Sequence, residues 1–144
     1  MIEQDTIKLL RECDAGAKMG IASIEDVVDQ VAHSEFRHQL NQCRQDHLYL
    51  QQQIQQQLTR FHDQGKNPNP IAKGMSWIKT NVKLGIEGTD ATIAELMTDG
   101  CNMGVKSLNR YLNQYKAADE TSKNIAKKLI GLESDLAVNI RQYL

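Results

Sequence analysis

One stretch of the sequence, residues 36–61, constrains the fold more than any other. Its mainly apolar residues recur every three or four positions, a spacing that places them on one face of an α-helix: Phe36, Leu40, Cys43, His47, Leu50, Ile54, Leu58 and Phe61. The glutamine-rich run 51–57 keeps this register, so we interpret it as the solvated side of the helix. Ser34 is the predicted N-cap and Gly65 the predicted C-terminal stop.

Three further stretches have the same helical spacing, so we predict four long helices. Their apolar stripes are Leu10, Cys13, Ala17, Gly20, Ile24, Val27 and Val31 in the first helix, Ile93, Met97, Gly100, Gly104, Leu108, Tyr111 and Tyr115 in the third, and Ile125, Leu129, Leu132, Leu136, Ile140 and Tyr143 in the fourth. In the first helix, Gly16, Gly20 and the cap-like Ser23-Ile24-Glu25-Asp26 could bend or interrupt the helical path.

The breaks between these stretches predict how the helices are connected. Short connections near His33-Ser34 and Ala117-Ala118 make two antiparallel pairs. The firm break between the pairs is Asn67-Pro68-Asn69-Pro70, because proline cannot continue a helix. The linker that follows contains a short amphipathic stretch, Ile71 to Val82, with Trp77 beside its apolar stripe.

This linker is long enough to run the length of a bundle. We therefore expect an all-α four-helix bundle whose antiparallel helix pairs are joined by a long crossover containing a short helix, in a single domain over residues 1–144. A simple up-down-up-down bundle with a long loop is the alternative.

Composition excludes several classes of partner. The 144 residues carry 17 Lys and Arg against 18 Asp and Glu, which leaves no basic field to hold nucleic acid. No apolar stretch approaches the roughly 20 residues that cross a membrane. The first ten residues show no signal core, and three widely spaced cysteines, Cys13, Cys43 and Cys101, fit reduced thiols. We expect a cytoplasmic protein.

Two segments carry a resemblance to a known family. The crossover sequence Gly74-Met75-Ser76-Trp77-Ile78-Lys79 and the start of the third helix, Ala91-Thr92-Ile93-Ala94-Glu95-Leu96, resemble an uncharacterised bacterial family of ferritin-like four-helix-bundle proteins. The resemblance runs from about Thr6 to Leu144 and implies the ferritin-like fold but no reaction. Members of the wider superfamily often hold two iron or manganese ions, with a Glu from each of two helices and a Glu-x-x-His from each of the others.

The sequence supplies few of these ligands. Its Glu-x-x-His, Glu35-Phe36-Arg37-His38, stands at the start of the second helix, and we interpret Glu35 and His38 as surface residues. The candidate metal ligands near mid-helix are His47, Glu133 and Asp99. We therefore expect no complete di-metal site and no cofactor. An atypical metal-dependent oxidase or iron-handling protein, binding iron or manganese, is one alternative.

A lone histidine on an apolar stripe is typical of a hydrogen-bonded core residue. Glu133 or Asp14 is the expected partner of His47, and such an imidazole would titrate near physiological pH. A single-metal site of His47, Glu133 and a cysteine thiolate is the alternative.

Glycines recur four residues apart at the middle of two helices. A glycine in a helix interior costs about 1 kcal/mol relative to alanine, so these positions need a reason. Close approach of the two backbones is one explanation, and a pocket for a small apolar ligand is another. The pocket candidates are Gly16, Met19, Gly20, Met97, Gly100, Met103 and Gly104. The alternative is that the methionine side chains fill the space beside the glycines and leave no pocket.

Together these patterns favour a non-enzymatic interaction or structural protein. We expect self-association as a homodimer through exposed Trp77 and tyrosines. The alternative hypotheses for the function are a metal-dependent enzyme and a protein that binds a small apolar ligand at the bundle midplane.

Overall fold

The structure, a computed structural model, describes residues 2–68 and 89–144. In these residues the chain forms four long helices: α1 (Ile2–Val27), α2 (Ser34–Arg60), α3 (Asp90–Gln114) and α4 (Glu120–Asn139). Single 3₁₀ turns follow α1 at Val28–Gln30 and α4 at Arg141–Tyr143. The all-α prediction is confirmed. The short helix expected within residues 71–82, and Trp77 with it, lies outside the described residues.

The helix ends differ in part from the sequence prediction. Thr89 caps α3 and Asp119 caps α4 by accepting the backbone N–H of Thr92 and Ser122. The predicted cap of α2 is wrong, because Ser34 is its first helical residue and His33 occupies the cap position, where its side chain makes no capping hydrogen bond to α2. The predicted stop at Gly65 is also wrong, since α2 already ends at Arg60. The helix α1 runs uninterrupted past its glycines.

Two core clusters show the direction of each helix. One cluster joins the end of α1, the start of α2, the start of α3 and the end of α4: Ile24, Val27, Val31, Phe36, Leu40, Cys43, Ile93, Ala94, Met97, Cys101, Leu136 and Ile140. The other joins the opposite halves: Leu9, Leu10, Cys13, Ala17, Leu50, Ile54, Leu58, Leu108, Ala118, Ile125, Ala126 and Leu129. Thus α2 and α3 run parallel to each other and antiparallel to α1 and α4. The helices α1 and α4 each pack on α2 and α3, and they also contact each other across the bundle.

The hydrogen bonds of Asp90 confirm where α3 begins. Its carboxylate accepts the backbone N–H of Ala32 at 2.8 Å and of His33 at 3.0 Å, both in the α1–α2 connection. The 27 residues of α2 carry the chain away from that end by roughly 40 Å at ~1.5 Å per residue. The end of α2 and the start of α3 therefore lie at opposite ends of the bundle. The single long crossover is confirmed, and the up-down-up-down alternative is wrong.

The opposite end is closed in a similar way by α1. Asp5 accepts the backbone N–H of Ala117 at 3.0 Å, and the hydroxyl of Thr6 accepts that of Asp119 at 2.8 Å. Among the helices of residues 2–68 and 89–144, none combines the length and the apolarity needed to cross a membrane.

Candidate functional site

A buried polar pair lies between the two core clusters at the middle of the bundle. His47 Nε2 on α2 and Glu133 Oε1 on α4 are 2.9 Å apart. The side chain of His47 is 1% exposed and that of Glu133 is 12% exposed. Of the two partners expected for His47, Glu133 is therefore the one it contacts.

The acceptors around His47 decide where the protons of this pair are. Its Nδ1 lies 2.7 Å from the backbone carbonyl oxygen of Cys43. A carbonyl only accepts, so Nδ1 carries a hydrogen, and the contact between Nε2 and the Glu133 carboxyl group needs a second proton. With both protons in place the pair has no net charge.

The protonation of His47 follows the same contacts. Burial lowers the pKa of His47, but its hydrogen bonds to Cys43 and Glu133 outweigh burial and hold the pKa well above its ordinary value. We therefore describe the pair at neutral pH as an imidazolium that donates to a carboxylate.

Two thiols lie beside the pair. Cys43 Sγ is 3.4 Å from His47 Nδ1. Burial raises the pKa of Cys101, with a further contribution from nearby Glu133, and burial raises the pKa of Cys13 to about 12. All three cysteines are free and buried. The raised pKa values of Cys13 and Cys101 disfavour the thiolate that binds metals.

The surroundings of position 20 on α1 explain why one of the four central glycines is a glycine. A Cβ atom at Gly20 would lie 2.8 Å from the Cδ2 and Nε2 atoms of His47. Helix α1 approaches the histidine this closely only because position 20 has no side chain. The close contact at Gly20 is therefore with a side chain of α2, not the close approach of the two glycine-bearing backbones that the sequence suggested.

A pocket of about 350 Å³ opens between α1 and α3. All seven residues predicted as pocket candidates line it: Gly16, Met19, Gly20, Met97, Gly100, Met103 and Gly104. Glu133 lines it from α4, and its carboxylate is bonded to His47, which does not itself line the pocket. Glu12 and Lys66 also line it and form an ion pair 2.6 Å long.

The predicted metal ligands do not assemble into one site. His47 and Glu133 bind each other, whereas Asp99 is exposed on α3. On α1 the residues at this level are Ala17 and Gly20, which offer no ligand atom. Within residues 2–68 and 89–144, no group of three or more His, Cys, Asp and Glu side chains could hold a metal ion. The donor set does not fit the di-metal site that the family resemblance implies.

The Glu-x-x-His motif lies away from the pair. Glu35 and His38 are both exposed at the start of α2, as the sequence predicted. Neither side chain contributes to the pocket.

Sequence reasoning missed a second buried polar cluster, centred on Asp14 of α1. This fully buried carboxylate accepts Lys18 Nζ at 2.7 Å, Gln55 Nε2 at 2.9 Å and the backbone N–H of Lys66 at 3.0 Å. Gly65, at φ +87°, brings the chain against Asp14 where a Cβ would clash. The cluster holds the chain after α2 against α1, beside the pocket. The i, i+4 spacing of Asp14 and Lys18 was the available signal.

Comparisons with known proteins bear on the fold. The chain is similar to the bacterioferritin-related protein from Bacteroides fragilis, described as a dodecameric thioferritin, with a TM-score of 0.74 and 11% identity over 99% of this chain and 85% of that one. It is also similar to Dps from Thermosynechococcus elongatus, with a TM-score of 0.72 and 9% identity over 99% of this chain and 91% of that one. No protein-family model and no curated protein matches the sequence. This chain has the ferritin-like four-helix-bundle fold.

Proposed function

We propose that this protein is a non-enzymatic ferritin-like bundle that binds a small, mainly apolar molecule between α1 and α3. The pocket itself carries this proposal. Its volume of about 350 Å³ lies within the range of roughly 300–1,000 Å³ that small-molecule sites occupy. Its walls are largely aliphatic, with Leu96, Met97 and Leu108 of α3 among them.

The glycines give a second argument, because packing does not require all of them. A Cβ at Gly16 would lie 3.7 Å from the nearest atom, Leu129 Cδ2, and one at Gly104 would lie 3.5 Å from the carboxyl carbon of Glu133. Both are ordinary contact distances, so alanine would fit at either position. Glycine there costs about 1 kcal/mol in helix stability. Open space for a ligand accounts for that cost, since each added methyl group would narrow the pocket.

Iron or manganese handling, which the ferritin-like fold suggests, is the competing function. It has less support because the two candidate ligands His47 and Glu133 already satisfy each other. Elemental analysis of protein purified without chelator separates the two functions. Two iron or manganese ions per chain would favour the metal-dependent alternative.

The test of ligand binding uses n-butylbenzene, an apolar probe of suitable size. We expect it to shift the ε-methyl NMR signals of Met19, Met97 and Met103, which line the pocket. Gly104→Leu should abolish the shifts by filling the pocket. Gly131→Leu is the matched control, because a Cβ at Gly131 meets no atom within 4 Å and Gly131 does not line the pocket.

Thermal melts must first show that both leucine variants fold. Equal binding of the probe by Gly104→Leu and the control variant, or no binding by the unmodified protein, would overturn the proposal. Native mass spectrometry of freshly purified protein gives an independent readout, since a retained small molecule should be absent from Gly104→Leu.

We also propose that the bundle self-associates. The dodecameric state of the thioferritin, which shares the fold, supports this. Exposed apolar side chains such as Ile2, Tyr49 and Val138 offer contact surface. Sedimentation velocity over a range of concentrations tests it, and a monomer at every concentration would contradict it. The homodimer in particular, and the cytoplasmic location that the free thiols favour, remain predictions.

A further inference from the structure

We propose that the molecule bound between α1 and α3 is uncharged and carries a hydroxyl group that donates a hydrogen bond to Glu133. This inference rests on the proposed function and names the chemical class of its ligand. It follows from the charges around the pocket, the position of Glu133 Oε2 on the side of Gly104 and the size of the pocket.

The charges of His47 and Glu133 compensate each other. Glu133 is an acceptor, but its charge is already matched by His47, whose ring donates to Oε1 at 2.9 Å. An ammonium group beside this pair would leave one uncompensated positive charge in a largely buried site. A ligand carboxylate would leave one negative charge beside another carboxylate. Uncompensated buried charge is strongly unfavourable, whereas a neutral donor adds a hydrogen bond without it.

A second pair of opposite charges lines the pocket. Lys66 Nζ and Glu12 Oε1 pair at 2.6 Å, so these two charged side chains, which also line the pocket, compensate each other. Among the described lining residues, no charge remains to be matched by a charged ligand.

The chemistry of Glu133 decides which atom of the ligand meets it. An ionised carboxylate only accepts hydrogen bonds, so its partner must be a donor. While Oε1 faces His47, Oε2 lies on the side of Gly104, 3.7 Å from the position of a Cβ there. Cys101 also hydrogen-bonds the Glu133 carboxylate, but the two carboxylate oxygens offer about four acceptor sites. Because Gly104 lines the pocket and has no side chain, a ligand hydroxyl can approach Oε2 along that side.

The volume of the pocket limits the size of the ligand. A cavity of about 150 Å³ in another protein holds benzene. A pocket of about 350 Å³ therefore accommodates an apolar body of roughly ten to fifteen non-hydrogen atoms.

The test compares four probes that share one apolar body: 4-phenyl-1-butanol, 4-phenylbutylamine, 4-phenylbutyrate and n-butylbenzene. Dissociation constants are measured by calorimetry on the full chain at pH 7. We expect the alcohol to bind about tenfold more tightly than n-butylbenzene, as a hydrogen bond to a charged group allows. The amine and the acid should bind more weakly than n-butylbenzene.

Two variants connect the preference to Glu133. In the double variant His47→Leu with Glu133→Leu, the alcohol and n-butylbenzene should bind equally, because the acceptor is gone and no lone charge is left behind. Glu133→Gln, which keeps a weaker neutral acceptor, should reduce the advantage of the alcohol to a few-fold. The second variant keeps the test decisive if the first fails to fold.

The possible results separate this inference from the proposed function. Equal binding of all four probes, or tighter binding of the amine or the acid, would overturn the hydroxyl inference and leave the pocket as a ligand site. Retention of the alcohol preference in the double variant would overturn it too. If none of the four probes binds, the proposed function fails, and the inference fails with it.

Discussion

Gly20 of α1 faces His47 of α2 so closely that a methyl group on the glycine would lie 2.8 Å from two atoms of the imidazole ring. The ring has little freedom to move aside, because its Nδ1 donates to the Cys43 carbonyl and its Nε2 to Glu133. Three helices are thus held at one point by a glycine, a histidine and a glutamate, and the pocket lies directly against that point.

We expect Gly20→Ala to destabilise the protein by about 1–3 kcal/mol, as overpacking of a filled site does. The methyl group must displace the ring of His47 and weaken its bond to Glu133. The free energy of unfolding, measured by urea denaturation, checks this.

Two other glycines are the controls for that variant. Gly131→Ala should stabilise the helix by up to about 1 kcal/mol, since nothing lies near its Cβ position. Gly16→Ala should also stabilise the protein, because a Cβ at position 16 would lie at an ordinary contact distance of 3.7 Å from its nearest neighbour, Leu129 Cδ2. If Gly20→Ala were as stable as these two, the close contact between α1 and His47 would be refuted.

A second prediction concerns the buried pair. His47→Leu and Glu133→Leu should each destabilise the protein by about 1–3 kcal/mol, because each leaves a buried polar partner unsatisfied. The double variant should be more stable than the sum of the two losses indicates, since an apolar pair leaves no charge behind. A double-mutant cycle of unfolding free energies measures this coupling, and additive losses would mean that the two groups do not interact.

A third prediction is a pH dependence of stability. The pKa of His47 is raised in the folded state from the ordinary 6.5, so the folded protein binds this proton more tightly than the unfolded chain. The stabilisation is therefore complete below pH 6.5 and is lost as the pH rises through the higher, folded value. The titratable groups that contact the ring are Cys43 and Glu133, Cys101 interacts with Glu133, and the uncharged Gly20 faces the ring from α1.

Urea denaturation between pH 6 and pH 8 is the measurement. This range stays below the ordinary thiol pKa of 9.0, above which Cys13 and Cys101 would add their own pH dependence. The decline in stability should be smaller in His47→Leu. An identical pH profile in both proteins would rule out titration of His47 as the cause.

A fourth prediction compares two aspartates that hold the chain after α2. Asp14→Ala should destabilise the protein by about 2–4 kcal/mol, because the fully buried carboxylate satisfies Lys18, Gln55 and the backbone N–H of Lys66. Asp63→Ala should cost less than about 1 kcal/mol, since its partner Arg11 is half exposed. Thermal and urea denaturation of both variants measure the difference, and similar losses would contradict the special role of Asp14.

Helical periodicity was sufficient to predict the four helices, and the proline break with the length of the linker predicted the crossover. Leu50, Ile54 and Leu58 lie one and two turns apart, and all three are buried. The pairing of His47 with Glu133 could be anticipated because both sit at mid-helix on stripes that face the same centre.

Other features depend on information that local spacing does not hold. Asp99 was considered as a ligand, but one residue of displacement rotates a side chain by about 100° around a helix, and it faces outward. The Asp14 cluster joins residues 41 and 52 positions apart, through an amide side chain and a backbone N–H. Ser34 missed the cap position by one residue, an uncertainty typical of helix ends.

The turn of each helical hairpin is bonded by the first turn of a helix in the other hairpin. Asp90 of α3 holds the α1–α2 turn, while Asp5 and Thr6 of α1 hold the α3–α4 turn. Sliding one hairpin along the other by a single helical turn, about 5.4 Å, would break the contacts at both ends together. The alignment of the two hairpins is thus fixed at both ends of the bundle. A hairpin that docks in a shifted register forms neither set of hydrogen bonds.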